Sequence, residues 1–285
     1  AKTGEHIRKA GEDFQAGDVV LKAGITIRPA EVAMLATVGR ANALVRKRPV
    51  AAVISTGDEL VELDETPTPG KILSSNGYAL CALVLSCGAK ALHLGIARDT
   101  RESLTEKLKE AMDADCIITS GGVSVGDYDL VKDVLKELGS EMRFWKVALK
   151  PGKPLAFGII QGKPAFGLPG NPISSMVAFE QFVRPALLKM AGYKEIFRSG
   201  IRATVTADIK IKPGRMNFLR ARTSFDGKDF SVEPLQGQGS GMISSMAAAN
   251  SFIVIPEESS GCKKGEEAVV QLFDGTILGS VKPCY

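Results

Sequence analysis

The stretch VAAVISTGDEL, residues 50–60, decides the fold: an apolar run, Val50–Ile54, passes straight into a Ser-Thr-Gly turn that carries two acids. A short unbroken apolar run that ends in a turn is the pattern of a strand covered by helices on both faces. The same cadence returns in CIITSGGVSVGDYD (116–129) and PAFGLPGNP (164–172). Between these runs lie helical patterns. One spans about 76–87 and is closed by Gly88. Another is capped by Thr100, with Leu104, Leu108 and Ala111 on one face. A third carries Leu130, Val131, Val134, Leu135 and Leu138 and stops at Gly139. Ala89–Gly95 and Leu155–Ile160 are further strand candidates, and Asn171-Pro172 opens a long helix as cap and first-turn proline. Strand alternating with helix predicts an α/β domain of three layers around a mostly parallel sheet with right-handed crossovers.

Working outward, residues 47–195 form this central domain. Residues 1–46 read as a small α+β remnant: β-like runs at His6–Ala10 and Val19–Lys22, then a helix from Pro29 to Val38 ended by Gly39. Residues 196–285 change texture to short β-like runs (Ile201–Ile211, Met216–Thr223, Ser251–Ile255, Ala268–Leu272) separated by Gly, Pro and Asn, which predicts an all-β domain.

Composition narrows the class. A net charge of +4 is too small to mark a nucleic-acid surface. No run nears the roughly 20 apolar residues that a membrane helix needs, and no basic-then-apolar leader is present. The chain opens without methionine, the expected look of a processed or truncated N-terminus. The five cysteines lack CxxC spacing and read as free thiols in a reducing cytoplasm. With only His6 and His93, a structural zinc site is not expected.

Ligands of open α/β sheets bind beyond the carboxyl ends of the strands. Here those ends lead into Ser55–Leu60, into Ser120–Asp129 and into Pro169–Pro172, glycine-bearing turns that aim backbone N–H groups and helix N-termini at one place. That predicts an anion cradle. WKVALKPGKP (145–154) adds Lys146, Lys150 and Lys153 with no acid, in a segment whose prolines and glycine forbid a helix; ammonium groups on a rigid turn suit phosphate or another oxyanion. Asp58, Glu59, Asp99 and Asp129 are the acidic complement. Asp99 and Asp129 lie where helix N-caps belong and Asp58 is a common turn residue. All four also fall near strand ends, where hard oxygen ligands would share Mg²⁺ with substrate phosphates.

Gly122-Val-Ser124-Val-Gly126 matches a serine nucleophile elbow, but both histidines lie upstream of the serine, so the downstream general base is missing and a serine hydrolase is excluded. No Walker lysine or strand-linked GxGxxG appears, against a P-loop NTPase or a Rossmann dehydrogenase.

At this point the chain resembles the MoeA-type molybdopterin molybdenumtransferases, a family that includes the gephyrin E-domain. The resemblance rests on STGDEL (55–60), SSNG (74–77), LGIARD (94–99), TSGGVSVGDYD (119–129), FWKVALKPGKP (144–154), GLPGNP (167–172), PGRMNFLRA (213–221) and GQGSGMISSMAAAN (237–250), in family order over most of the chain. It implies a central domain of the molybdenum-cofactor-biosynthesis type and an enzyme that inserts molybdate into adenylylated molybdopterin and releases AMP with Mg²⁺ present. By motif position it implies that Glu59, Asp99 and Asp129 hold Mg²⁺ or orient water, and that Lys146, Lys150 and Lys153 contact phosphate and molybdate. Arg220 and serines of the last domain, Ser240 and Ser245, resemble its anion-binding positions. The matching turns add Asp58, Ser74, Asn76, Gly121, Gly122, Ser124, Gly126, Pro154, Pro169 and Asn171 as substrate contacts. The resemblance also implies further N-terminal domains, a cytoplasmic homodimer in the full-length protein, and handover of substrate from a molybdopterin adenylyltransferase. The alternatives are that adenylyltransferase itself, a CinA-like nucleotide pyrophosphatase, or a non-catalytic gephyrin-like scaffold; the C-terminal phrases weigh against the first two, and the lysines and carboxylates against the third.

Overall fold

The computed structural model describes residues 3–122 and 130–273. The N-terminal segment contains one helix, α1 (Pro29–Thr37), with no residue of that helix fully buried. The runs at His6–Ala10 and Val19–Lys22 are not strands, contrary to the sequence expectation. A strand needs a partner edge, and neither larger sheet extends to this segment. Ile7 and Val19 accordingly stay more than 70% exposed, at 72% and 74%. At the start of α1 the Arg28 N–H donates to Glu31 (2.9 Å), whose carboxyl is held down at about 2 by the Arg28 side chain.

The central lobe then follows in order β1 (Val50–Thr56), the short β2 (Leu60–Val61) and β3 (Ile72–Leu73), α2 (Ser75–Ser86), β4 (Lys90–Ala97), α3 (Arg101–Glu110), β5 (Cys116–Ser120) and α4 (Leu130–Glu137). It continues through β6 (Glu141–Lys146), β7 (Leu149–Lys150), β8 (Pro154–Ile160), β9 (Lys163–Leu168), α5 (Pro172–Ala178), a single π turn over Phe179–Val183, and α6 (Arg184–Met190). The main sheet runs β4-β1-β5-β9-β8-β6. Its first four strands are parallel, while β8 is antiparallel to both of its neighbours. The β8–β9 connection is only Gln161-Gly162, both at positive φ (48° and 79°), which allows a hairpin and no crossover.

Strand alternation explains the layers. Ala51 and Val53 of β1 enter one core with Leu80 and Val84 of α2 and with Ala178 and Phe179; Ala52 and Ile54 enter a second core with Leu104 and Leu108 of α3 and with Val131 and Val134 of α4. Strand β1 therefore buries both faces, as its unbroken apolar run requires. Helix α3 begins at Thr100, whose hydroxyl accepts the Ser103 N–H at 3.3 Å. Thr100 is the cap, and the neighbouring Asp99, expected at a cap position, is free to do something else.

The C-terminal lobe contains β10 (Gly200–Val205), β11 (Ile209–Lys210), β12 (Met216–Phe225), β13 (Phe230–Pro234), α7 (Ile243–Ala247), β14 (Ser251–Ile255), β15 (Gly261–Cys262) and β16 (Glu267–Leu272). The long β12 pairs with β14 through residues 217–221 and with β13 through 221–225, and β13 returns to β10, so the sheet closes into a small barrel. Closure removes the free edges that a short β-domain would otherwise expose. The lobes are joined by a shared core of Leu149, Ile173 and Val177 from the centre with Phe218, Met246 and Phe252 from the barrel. At roughly 1.5–3 kcal/mol for each fully buried large apolar side chain, this seam fixes the lobes to each other. The two-residue β7 adds a backbone tie, pairing parallel to β12 with Lys150 opposite Asn217.

Candidate active site at the carboxyl edge of the central sheet

One edge of the main sheet collects the ends of β4, β1, β5 and β9, the start of the reversed β8, and the end of β6. The chain runs from β1 outward to β4 and then returns past β1 to β5, so the strand order reverses next to β1. That is the switch point at which open α/β sheets take ligands.

The centre of this edge is made of glycine turns. The Gly121 N–H donates to Leu168 O at 3.0 Å, tying the β5 turn to the β9 turn. Gly121 has φ +96°, and a Cβ there would sit 2.4 Å from Thr56 O; at Gly122, φ +67°, a Cβ would sit 2.4 Å from Val131 Cγ2. Only glycine allows this close approach. Below the turns, Asn76 donates through Nδ2 to Ser120 Oγ (2.9 Å) and to Gly170 O (2.7 Å). Ser120 Oγ lies 3.2 Å from Ser175 Oγ, and Ser175 donates to Pro169 O. Ser74 Oγ donates to Ser55 Oγ at 3.0 Å. Ser120 and Ser175 were not singled out from the sequence, since serine is too common in turns and helix starts to carry a signal without a contact.

The acidic end follows β1 and β4. The Asp58 N–H donates to Asp99 Oδ2 (3.3 Å) and the Asp99 N–H to Asp58 Oδ1 (3.1 Å), a reciprocal pair that locks the two turns together. Lys71 donates to Asp58 O at 2.5 Å and Arg98 to Leu60 O at 2.7 Å. The Glu59 carboxylate folds back over Gly57, where a Cβ would meet Oε2 at 2.4 Å. Among the described residues no three His, Cys, Asp or Glu side chains converge on a metal position. Asp129, the third expected carboxylate, lies outside the described residues, as do Ser124 and Gly126.

The basic end lies on β6, β7 and the turn into β8. Lys146 closes β6 opposite Pro154, and the Val147 N–H donates to Lys153 O at 3.2 Å. Lys146, Lys150 and Lys153 are exposed, and none forms an ion pair with a described carboxylate. At about 4.8 Å per strand, the β1 and β8 ends stand about 14 Å apart and the β4 and β6 ends about 24 Å. Acid and base therefore occupy opposite ends of one long edge.

The C-terminal lobe borders this edge through residues 237–245. Ser240 contributes its backbone: its carbonyl accepts the Ile173 N–H (3.1 Å) in the first turn of α5, whose N-cap, Asn171, makes no side-chain cap bond. Arg220 is 1% exposed and donates to Gly237 O (2.7 Å), Gly239 O (3.0 Å) and Ser245 Oγ (3.1 Å). Burial pulls its guanidinium below the ordinary arginine value. Arg220 and Ser245, expected as anion contacts, thus meet each other, and these bonds brace the loop. A groove of about 900 Å³ lies elsewhere, between residues 21–48 and the Gly192-Tyr193 turn.

Three family models match this chain. Residues 52–189 match the family model described as a probable molybdopterin binding domain, residues 202–273 the MoeA C-terminal region (domain IV), and residues 1–39 the MoeA N-terminal region (domains I and II). A molybdopterin molybdenumtransferase of Staphylococcus aureus (strain COL) is 38% identical over 271 residues, 95% of this chain and 65% of the relative. The protein of the same name from Haemophilus influenzae is 35% identical over 276 residues, 96% of this chain and 68% of the relative. A solved molybdopterin biosynthesis MoeA protein from Pyrococcus horikoshii superposes with a TM-score of 0.77 at 33% identity, over 93% of this chain and 64% of that one. The chain spans just under two thirds of the S. aureus relative and of the solved protein, and its three matched regions follow in the order N-terminal, molybdopterin-binding, C-terminal. By sequence and by fold, it belongs to the MoeA family of molybdopterin molybdenumtransferases.

Proposed function

We propose that this chain carries the catalytic part of a molybdenumtransferase, which inserts molybdate into adenylylated molybdopterin and releases AMP. The observation that carries the reading is the division of one sheet edge into an acidic end, a central row of glycine turns and a basic end with unpaired lysines. A compact phosphate would need only one of these parts. An elongated substrate with a pterin, a phosphoanhydride and a nucleoside uses all of them.

The glycine turns bring backbone close to the ligand and leave no room for a side chain. Lys146, Lys150 and Lys153 supply point charges for phosphate and for the incoming molybdate. Glu59 and Asp99 offer hard oxygen donors of the type Mg²⁺ takes: the Glu59 carboxylate accepts no hydrogen bond from a described group, and Asp99 uses only Oδ2 on Asp58. With Asp129 they would hold Mg²⁺, which would screen the phosphoanhydride charge. Asp58 then serves as the brace that sets Asp99. The exposed apolar side chains of residues 7–45 fit a site of homodimer contact in the full-length protein, in the cytoplasm, where a molybdopterin adenylyltransferase would supply the substrate.

The test is molybdate- and Mg²⁺-dependent AMP release by the full-length protein, with Lys150→Ala and Glu59→Ala. Both variants should lose at least about tenfold in turnover, the size of one charge-assisted contact. Wild-type turnover in both would remove the reading.

A further inference from the structure

At Asn76 the hydrogen-bond chain beneath the glycine turns has only one consistent direction. Gly170 O is a carbonyl and can only accept, so the Asn76 atom 2.7 Å away is the NH₂ group, and its second hydrogen goes to Ser120 Oγ at 2.9 Å. Ser120 then has one proton to give. That proton has two protein acceptors, Ser175 Oγ at 3.2 Å and Pro169 O at 3.4 Å, the carbonyl to which Ser175 also donates. Either way, Asn76, Ser120, Ser175 and Pro169 form a relay in which every donor proton is spent on a protein oxygen. Ser120 and Ser175 are 2% and 1% exposed, so water does not compete for these protons. The arrangement fixes the Asn76 carboxamide: both amide hydrogens are spent on the protein, and Oδ1, to which no described group donates, is the atom left over. Asn76 itself stays half-buried at the first turn of α2, beside the Gly121 and Gly170 turns.

We propose that Ser120 and Ser175 are positioning residues that lock Asn76 so that it offers the substrate an acceptor, and that Asn76 therefore reads an N–H group of a heterocycle and not a phosphate. A phosphate oxygen would meet the amide oxygen acceptor to acceptor, which repels. An amino or ring N–H group, as on a pterin or an adenine, completes the one bond that Asn76 lacks. This inference rests on the functional reading above and specifies which part of the substrate lies over α2.

The experiment measures binding of three probes to the chain by calorimetry: molybdopterin, AMP and inorganic pyrophosphate. Asn76→Ala should weaken whichever of the first two places its N–H there by about tenfold, the worth of one buried hydrogen bond, and leave pyrophosphate within about twofold. Ser120→Ala should reproduce part of that loss. The Asn76→Ala/Ser120→Ala double variant should be no weaker than Asn76→Ala alone, because Ser120 acts through Asn76; a general structural role would add the two losses. If Ser120→Ala does not fold, Ser120→Cys, whose sulfur is only a weak acceptor for the Asn76 amide, takes its place. Loss on molybdopterin assigns the pterin to Asn76, and loss on AMP assigns the adenine. Equal loss on all three probes, or additive losses in the double variant, overturns the inference and leaves the functional reading intact. Failure of the unmodified chain to bind any probe overturns both.

Discussion

Replacing Gly121 with alanine should damage the protein far more than the same change at Gly170, although the two glycines face each other across the site. At Gly121 the backbone is at φ +96°, where an L side chain is strained by roughly 1–2 kcal/mol. The new methyl would also sit 2.4 Å from Thr56 O and 2.8 Å from Thr56 Oγ1, contacts that require the β5 turn to move away from β1. Overpacking of that kind costs about 1–3 kcal/mol, so the total is about 2–5 kcal/mol. At Gly170 the φ is ordinary, and the nearest atom to a Cβ is Gly121 Cα at 3.7 Å, a normal contact, so the expected cost is below about 1 kcal/mol. Thermal melts followed by circular dichroism would show the difference, with each kcal/mol moving the midpoint by about 2–4 °C in a protein of this size. A Gly121→Ala protein that melts with the wild type, or a Gly170→Ala protein that falls as far as Gly121→Ala, would refute the close-approach argument.

Three other outcomes follow from the same geometry. Glu180 is 5% exposed and receives two bonds from Arg198 (2.7 and 3.2 Å); Glu180→Ala should cost about 3–5 kcal/mol in urea unfolding because it strands a half-buried guanidinium, and a loss under 1 kcal/mol would show that the pair carries no weight. Arg220→Lys cannot reproduce a fork that serves two carbonyls and a hydroxyl, so residues 236–242 should become sensitive to limited proteolysis; a cleavage pattern identical to wild type would argue that the loop holds itself. Burial pushes the Cys116 thiol up to about 12, so near pH 8 it stays protonated and should not react with a thiol reagent until the protein unfolds; labelling of native Cys116 at the rate of a free thiol would contradict the packing around β5.

The elements legible in the sequence were those whose pattern reflects two buried faces. Val50–Ile54 and Cys116–Thr119 are strands because every second residue meets a different helix layer, and that demand leaves an unbroken apolar run. Thr100 was legible as a cap because its hydroxyl acts within the next turn. What could not be read depends on partners distant in the chain. Glu141–Lys146 is an edge strand with three charged positions, and only its pairing with β8 makes it one. The strands on either side of Gln161-Gly162 were expected, yet the hairpin between them, which reverses one strand within an otherwise parallel sheet, came from the sheet. Closure of the barrel by two halves of β12 left no periodic trace. At the candidate site, the motifs pointed to one edge of the sheet but not to the contacts each side chain makes. Asp58 and Arg220 bond to their own protein, and Ser175 joins the relay through a hydroxyl that looks like any other serine in the sequence.

The pairing of Leu149-Lys150 with Met216-Asn217 gives the barrel a direct hold on the proposed site. Lys150 takes its height above the sheet from a strand that starts more than sixty residues later, and the Met216 N–H on Ala148 O (2.9 Å) fixes the segment just before it. The two lobes are therefore one tool with two handles. Recombining relatives at the linker near residue 196 would transplant the seat of a charged group along with the barrel, so the lobes are expected to diverge in step across the family.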